Sequence, residues 1–412
     1  MTTAAHSHPD QVLKLARSFA TRLEEVKRGF VGRDDTVDLL ALAVLCREHV
    51  LLVGPPGTAK TRLVHAFCDI LDTRPFSYLL TRFTEPAELF GPIDLRKFQD
   101  EGRYEVNTAG MLPEAHIAFL DEVFQGSSAI LNTLLTLVNE RTFATGGRTV
   151  QGRLMTLLGS SNEVPDDPVL AAFGDRFLFR GRIDYVADDE LDQVLELGWL
   201  TERQQIAEAA DEAAGARDDA TAGGRPVRVG GEDRLRVTFP LDGLRVLQRT
   251  VAEVDLGPVR DDYLKLVRAF RAEGIAFSDR RAVKAQKAVA ASALLAGRRT
   301  ARSSDLSVLA RMWAGPRDEQ SLLRLVTDHG VPLPAGGQSA RDVYELRIDL
   351  TEYRNRFARL HTAEEVREVA RRLGRLDAEA RRDHPAAHEL LKGIAELRRA
   401  AMTRLREDEG EG

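Results

Sequence analysis

The sequence predicts an α/β fold with a parallel five-stranded sheet, followed by an all-α domain and a C-terminal helical arm. Five short apolar runs alternate with helical patterns between residues 11 and 187. Strands that are apolar almost throughout and alternate with helices are typical of a parallel sheet covered on both faces. Helical periodicity then extends from about residue 241 to 313, and it returns beyond about residue 338.

The α/β region begins with an amphipathic helix over residues 11–28, after a tail of residues 1–10 that we expect to be flexible. A turn and a second helix to about residue 47 follow, and then come the apolar runs. The helix has one apolar face, formed by Val12, Ala16, Phe19, Leu23 and Val26. The runs that we predict as strands are residues 49–53, 76–82, 116–120, 153–160 and 176–183.

These patterns predict a core over residues 11–187, an all-α domain over 188–315, a connector over 316–338 and an arm over 339–407. Residues 211–236 are rich in Ala, Gly, Asp and Arg, so we expect a flexible insertion there. The patterns of residues 339–407, where three segments each carry a narrow apolar seam, fit a helical hairpin or a three-helix arm. Such seams fit a self-contained bundle and a coiled-coil arm that docks a partner equally well.

The composition is that of an ordinary globular protein: 412 residues, 43% hydrophobic and 30% charged. The sequence has no apolar run long enough for a membrane span, no signal-peptide pattern and only two cysteines. We therefore expect a cytoplasmic protein. The net charge of −6 weighs against a dedicated nucleic-acid binder, which usually has a basic surplus.

A phosphate-binding loop is predicted directly after the run 49–53, where GPPGTAKT precedes an apolar helical pattern. Backbone N–H groups of such a loop point at phosphate oxygens, and glycines allow the close approach. Lys60 would reach the β- and γ-phosphates, and Thr61 would ligate Mg²⁺. Ala59 stands where the usual pattern has glycine. The predicted nucleotide-binding residues of the loop are Gly54, Pro55, Pro56, Gly57, Thr58, Ala59, Lys60 and Thr61.

Polar residues at the ends of two later strands complete the predicted chemistry. Asp121 ends an apolar run and could hold the Mg²⁺ shell, while Glu122 could orient and deprotonate the attacking water. Asn162 follows another strand and could fix that water from the opposite side. Taken alone, an asparagine after a strand is a routine turn residue.

Arginines supply two further candidate elements. Arg176 and Arg180 bracket an apolar strand, and either could be presented to the γ-phosphate of a neighbouring subunit or be an ordinary surface arginine. Ser278 is a plausible N-cap. Arg280 or Arg281 in the following turn could reach the nucleotide. A helix start disfavours cations, which favours a functional role for them.

These five elements, in this order, resemble the AAA+ ATPases, specifically the MoxR family and its RavA-type branch. Beyond the phosphate loop, the resemblance rests on residues 81–95, 100–124, 129–143 and 278–298. It implies an ATP- and Mg²⁺-dependent, chaperone-like motor that works as a ring, commonly a hexamer, with a partner that carries a von Willebrand factor A domain. RavA-type proteins also carry a small β-domain for a metabolic-enzyme partner. The arm shows no β-pattern, so that partner is not implied.

The resemblance also assigns roles to individual residues. Residues 54–61 match Walker A, Asp121 and Glu122 match Walker B, and Asn162 matches sensor 1. Arg176 matches the arginine finger and Arg280 matches sensor 2. Phe30 and Val31 lie in the segment that contacts the base in the family. Residues 91–110 resemble the helix-two insert, and residues 141–153 resemble the pre-sensor-1 hairpin.

Three other functions stay open at this point. A nucleic-acid motor of the same clade could grip DNA through Arg141, Arg148 and Arg153 of the hairpin. A scaffold that binds nucleotide without hydrolysing it is a second alternative. The presence of all the predicted site residues argues against it, because a site that does not hydrolyse nucleotide need not retain them. A GTP-using relative is the third.

Overall fold

The computed structural model describes residues 9–145, 147–165, 167–186, 190–215, 238–333, 343–357 and 387–410, with single residues or pairs between 366 and 381. The chain divides into two compact units, Met1–Gly336 and Gly337–Gly412.

Up to residue 315 the strands and helices of the first unit follow the predicted alternation. Residues 316–328, which the sequence predicts as part of a connector, form a helix instead, because Pro316, Asp318 and Glu319 suit a first helical turn. In chain order the strands are β1 (His49–Val53), β2 (Leu71–Asp72), β3 (Pro75–Leu79), β4 (Ile117–Asp121), β5 (Thr142–Thr145), β6 (Arg148–Gln151), β7 (Thr156–Ser161), β8 (Phe177–Arg182) and β9 (Phe239–Pro240). The helices are α1 (Pro9–Lys27), α2 (Asp34–Cys46), α3 (Lys60–Asp69), α4 (Pro86–Phe90), α5 (Leu95–Glu101), α6 (Ser128–Glu140), α7 (Pro168–Gly174), α8 (Leu191–Gly215), α9 (Leu241–Val251), α10 (Arg260–Ala272), α11 (Asp279–Leu295) and α12 (Pro316–Asp328). The 3-10 helices are Leu112–Glu114, Val123–Gln125, Gly257–Val259 and Ser303–Arg311.

The five predicted apolar runs form one parallel sheet with the order β3-β4-β7-β1-β8. The central strands β1 and β7 are buried along their whole length, whereas the side chains of the edge strand β3 alternate between exposed and half-buried. This confirms the predicted fold class. Because all five strands run in the same direction, the segments after β1, β4 and β7 meet at the carboxyl edge of the sheet.

Helix α2 packs against β1, β7 and β8 of the sheet, and α1 packs against α2, α9 and α11. All five apolar residues of the predicted α1 face are buried. The all-α part is tied to the core by ion pairs, because the buried carboxylate of Glu48 lies 2.5 Å from the ammonium of Lys284 and also pairs with Lys287. These contacts fix α11 beside the end of α2.

The predicted flexible insertion begins later than residue 211. Helix α8 continues to Gly215, because its Ala- and Glu-rich end has high helix propensity. The rest of that prediction, residues 216–236, lies outside the described residues, as does the tail of residues 1–8. Among the helices that the structure describes, none is both long and apolar enough to cross a membrane.

The second unit is a helical bundle with a core of its own. Its described helices are α13 (Val343–Phe357) and α14 (His388–Gly410), with helical residues between Val366 and Arg381. Residues from all three predicted seams form one buried apolar cluster: Leu346, Leu350, Val366, Val369, Leu373, Leu376, Leu390, Ile394, Leu397 and Ala401. The seams therefore face one another, which favours the self-contained bundle over an arm whose seam awaits a partner.

Deletion of the chain after Gly337 is expected to leave a folded, nucleotide-binding first unit. Each unit has its own apolar core, so the truncation removes only the smaller one. The thermal transition of the truncated protein, followed by circular dichroism, should stay within a few degrees of that of the first unit in the full chain. Loss of a cooperative transition in the truncated protein would show that the arm supports the core.

Candidate active site

The loop between β1 and α3 has a backbone that only particular residues can adopt. A Cβ at Gly54 would lie 1.9 Å from the carbonyl oxygen of Ile183, so no larger residue fits there. Gly57 has a φ of 80°, in the left-handed region. Ala59 also lies in that region, with a φ of 62°, at a cost of about 1–2 kcal/mol for a residue with a Cβ. The loop thus keeps its shape although alanine replaces the usual glycine.

Lys60, the first residue of α3, lies inside this loop and is almost fully buried. Its ammonium donates to the carbonyl oxygens of Gly54 at 2.6 Å and Pro55 at 2.9 Å, and lies 3.4 Å from Oδ1 of Asn162. Burial lowers the pKa of Lys60, and the carboxylates of Asp121 and Glu122 partly oppose this. The ammonium of Lys60 therefore lies between the loop and the residues that follow β4 and β7.

Asp121 at the end of β4 is held directly beside the loop. Its Oδ2 accepts a hydrogen bond from the Thr61 hydroxyl at 2.7 Å, and its Oδ1 accepts from the Ser160 hydroxyl and from the backbone N–H of Glu122. The Thr61 hydroxyl oxygen and the Asp121 carboxylate oxygen are both hard oxygen ligands, the kind that Mg²⁺ prefers.

Glu122 has a strained backbone, with φ 51° and ψ 48°. A left-handed conformation in a residue with a long side chain costs about 1–3 kcal/mol and is found most often at functional sites. Its Oε1 accepts a hydrogen bond from Nδ2 of Asn162 at 2.8 Å. Burial, and then the charge of Asp121, raise the pKa of the Glu122 carboxyl, which makes its carboxylate a better proton acceptor.

The residues of the loop fit a nucleotide phosphate chain with Mg²⁺. Gly54 lets the loop pack directly on the carbonyl of Ile183, Gly57 supplies the left-handed turn, and Lys60 places a cation within the loop, as a phosphate-binding loop requires. Thr61 and Asp121 would hold the ion. The described residues contain no cluster of three metal-ligating side chains, and Mg²⁺ in phosphate sites needs only one or two protein ligands.

The predicted base-contacting segment lies beside the same loop. Phe30 is half-buried, and the guanidinium of Arg62 in α3 lies 5.3 Å from the centre of its ring. Val31 next to it is half-buried as well. From the other side, the Tyr185 hydroxyl lies 3.4 Å from the carbonyl oxygen of Pro56, and Arg33 donates to the carbonyl of Asp184 at 2.6 Å. Phe30 thus lies against α3, and a contact of Phe30 and Val31 with the base stays a prediction.

Arg176 and Arg280 lie at the amino edge of the sheet, away from the phosphate loop. Arg176 directly precedes Phe177, which pairs with His49 at the amino end of β1, whereas the loop follows the other end of that strand. A five-residue strand is roughly 16 Å long. Arg280 lines the same crevice as Arg176 and lies 3.3 Å from Oδ1 of Asn139. Arg280 therefore does not reach the phosphate loop of its own chain, because α11 packs at the amino edge of the sheet.

Two other arginines, which the sequence left as alternatives, are committed to internal contacts. Arg281 is buried, pairs with Asp175 at 2.8 Å and donates to the carbonyl of Met312. Arg180 is buried too, donates to the carbonyl oxygens of Gly174 and Ala314, and lies over the ring of Trp313. Burial lowers the pKa of Arg180 to about 10. Neither side chain can reach a neighbouring molecule.

Sequence reasoning missed two contributors to the site. Ser160 binds the Asp121 carboxylate, and Asp175 anchors Arg281 next to Arg176. A serine one residue before the end of an apolar strand was a weak signal for the first. The second depends on contacts between residues more than a hundred positions apart, which the sequence pattern does not contain.

Comparisons with known proteins agree with this architecture. Residues 17–218 match a family model described as the MoxR domain in the MoxR-vWA-beta-propeller ternary systems, and residues 260–326 match an AAA lid domain. An uncharacterized protein of Methanocaldococcus jannaschii is 33% identical over 72% of this chain and 71% of its own length. The chaperone MoxR1 of Mycobacterium tuberculosis is 28% identical over 42% of this chain and 45% of its own length.

A crystal structure of a candidate ATPase from Cytophaga hutchinsonii has the same fold. It superposes with a TM-score of 0.51 at 18% identity, over 77% of this chain and 88% of its own. At this identity the similarity concerns the fold alone.

Proposed function

Because this chain belongs to the MoxR family of AAA+ ATPases, we propose that it is a Mg²⁺-dependent ATP hydrolase that works as a ring-forming motor and remodels or activates a protein client. The observation that carries the proposal is the continuous contact of Lys60, Asn162 and Glu122 beside the Thr61–Asp121 pair. A fold alone would not need all five side chains at one edge of the sheet.

Each of these residues has a role that its contacts support. Lys60 would balance the charge of the β- and γ-phosphates, and Thr61 with Asp121 would hold Mg²⁺, which would supply charge neutralisation at the phosphate oxygens. Glu122 accepts a proton from the attacking water. Asn162, which already donates to Glu122, orients that carboxylate and the water.

Arg176 and Arg280 are proposed to act on the nucleotide of the neighbouring subunit in a ring. The family resemblance implies that this ring is a hexamer. Their position at the amino edge of the sheet, away from the phosphate loop of the same chain, supports a role in trans for both. Arg281 would then serve as a positioning residue, since its pair with Asp175 holds the segment that presents Arg176.

A partner with a von Willebrand factor A domain is part of the proposal, and its support is the description of the matching domain as a component of MoxR-vWA-beta-propeller systems. The RavA-type branch and a cytoplasmic location stay predictions of the sequence. A nucleic-acid motor is less well supported. Arg141, one of the three hairpin arginines that could contact DNA, donates to the carbonyl oxygens of Arg47, Leu154 and Met155. It is therefore not available to DNA.

Lys60→Ala is expected to weaken ATP binding at least tenfold, because the loop amides remain but the cation beside the phosphates is lost. Isothermal titration of ATP with Mg²⁺ into the full chain would measure this, and the same titration with GTP would test base preference. Lys265→Ala, which removes an exposed lysine of α10, is the matched control and should bind like the parent. Equal ATP affinity in Lys60→Ala and the control would show that the loop does not bind the phosphates.

A further inference from the structure

A basic cleft lies at the amino edge of the sheet, the edge opposite the phosphate loop. Thr73 and Arg74 directly precede β3, His116 directly precedes β4, and Arg153 lies shortly before β7. Because β3, β4 and β7 are neighbours in the sheet, these residues come together. The first two turns of α9 close the cleft and add Arg245, and the cleft has a volume of about 480 Å³.

Backbone contacts fix the relative positions of these residues. The His116 N–H donates to the carbonyl of Arg74 at 2.9 Å, and the Arg74 N–H donates to Nδ1 of His116 at 3.1 Å. The Arg153 N–H donates to the carbonyl of Pro113 at 3.0 Å. Arg74 and Arg153 are thereby held just before the strands on either side of β4, which His116 precedes.

Several polar groups in the cleft lack partners. The guanidinium groups of Arg74 and Arg153 have no partner among the residues that the structure describes. The same is true of the buried Thr73 hydroxyl. Since Nδ1 of His116 accepts a hydrogen bond, the neutral ring carries its proton on Nε2, which has no described partner although the residue is only 8% exposed. Arg74 and Arg153 are exposed to solvent, whereas His116 and the Thr73 hydroxyl are buried. Buried polar groups normally have partners, so the last two point to a ligand.

The charge of the cleft is positive but mixed. Three arginines face it together with Asp72 and Asp242, and Asp242 pairs with Arg245 at 3.2 Å. Burial, and then the charges of Arg245, Arg153 and Arg74, lower the pKa of His116. All three arginines are therefore close enough to His116 to disfavour its imidazolium, and an anion beside the ring would oppose this effect.

We propose that this cleft, lined by Arg74, Arg153, Arg245, His116 and Thr73, binds a compact phosphate-bearing anion. The paired N–H groups of a guanidinium match the geometry of phosphate oxygens. The volume of the cleft is in the range of small-molecule binding sites. The cations surround a concavity and do not form a stripe, and the two carboxylates would repel an extended polyanion. This site does not depend on the proposed hydrolysis, because it uses other residues at the opposite edge.

The probe is sodium pyrophosphate, titrated calorimetrically into the full-length chain that carries Lys60→Ala, so that the phosphate loop contributes little. Arg153→Gln and Arg74→Gln in that background are expected to weaken binding at least tenfold. Both side chains are exposed, so the fold should be retained. Arg268→Gln on α10 removes an equally exposed arginine outside the cleft and should leave binding unchanged.

A second readout reports on the cleft itself. Pyrophosphate should raise the pKa of the His116 ring, measured by NMR and assigned by its loss in His116→Gln, because an anion stabilises the imidazolium. ADP as a second titrant distinguishes the source of the phosphate. Arg153-dependent binding of ADP tighter than that of pyrophosphate would indicate a nucleotide, and the reverse order a free polyphosphate.

Either order supports the site. Absence of Arg153-dependent binding for both titrants would overturn the proposal, as would an equal loss in Arg268→Gln. If single-stranded DNA or polyglutamate bound through Arg153 and pyrophosphate did not, the cleft would be a macromolecular surface and the proposal would be wrong.

Discussion

Arg176→Ala is expected to bind ATP like the parent and to hydrolyse it about 10³–10⁵-fold more slowly, which corresponds to roughly 4–7 kcal/mol of barrier. The reason is the placement of Arg176 at the amino edge of the sheet, where it cannot act on the phosphates of its own chain. A neighbouring subunit would use its guanidinium to stabilise the charge that spreads over the transferring phosphoryl group. Steady-state phosphate release, with ATP affinity measured in parallel, gives both quantities.

The alternative role for Arg176 is an ordinary surface contact, and the two roles differ in magnitude. A surface ion pair is worth about 0–1 kcal/mol, so its loss would change the rate by less than about sixfold. Arg268→Ala, which removes an exposed arginine of α10, is the matched control and should keep the parental rate. A rate for Arg176→Ala within tenfold of this control would remove Arg176 from the reaction.

Glu122→Gln is expected to bind ATP and to leave it intact, with turnover lowered about 10²–10⁴-fold. The amide oxygen of glutamine can still accept the hydrogen bond from Asn162, and both side chains impose the same strain on the left-handed backbone. Fold and binding should therefore persist while the proton acceptor is lost. Single-turnover hydrolysis, followed by analysis of the nucleotide retained on the protein, measures the effect.

Glu163→Gln provides the control, since it removes an exposed carboxylate one position after Asn162. It should turn over ATP like the parent. Turnover of Glu122→Gln within a few-fold of Glu163→Gln would show that another group, or water alone, accepts the proton.

The fold and the phosphate site could be predicted from the sequence because their signals are local. Each of the five strands is a short apolar run, and Lys60 and Thr61 follow one of them after a short glycine-containing loop. The parallel arrangement then brings Asp121 and Asn162 to the same edge without further information. The helical face of α1 could be predicted for the same reason.

The arginines could not be placed in this way. The burial of Arg180 depends on Trp313 and Ala314, 134 positions further along the chain in the latter case. Arg280 and Arg281 are neighbours in sequence, yet one is exposed near Asn139 and the other is buried on Asp175. Only the packing of α11 against the sheet decides which of the two is available.

The left-handed backbone of Glu122 could not be predicted from the sequence either, since glutamate has no preference for the left-handed region. The same holds for the basic cleft. Arg74, His116 and Arg153 precede three different strands, and only the strand order makes them neighbours.

The central claim, that the site is completed by a neighbouring subunit, is tested most directly by mixing Arg176→Ala with Lys60→Ala protein and measuring ATPase rate against mixing ratio. Neither variant should hydrolyse ATP alone. In a mixed ring, an Arg176→Ala subunit keeps an intact phosphate loop and can meet the intact arginine of a Lys60→Ala neighbour. We therefore expect activity to appear on mixing and to be highest at intermediate ratios. Absence of activity at every ratio, in mixed assemblies confirmed by mass, would contradict the account.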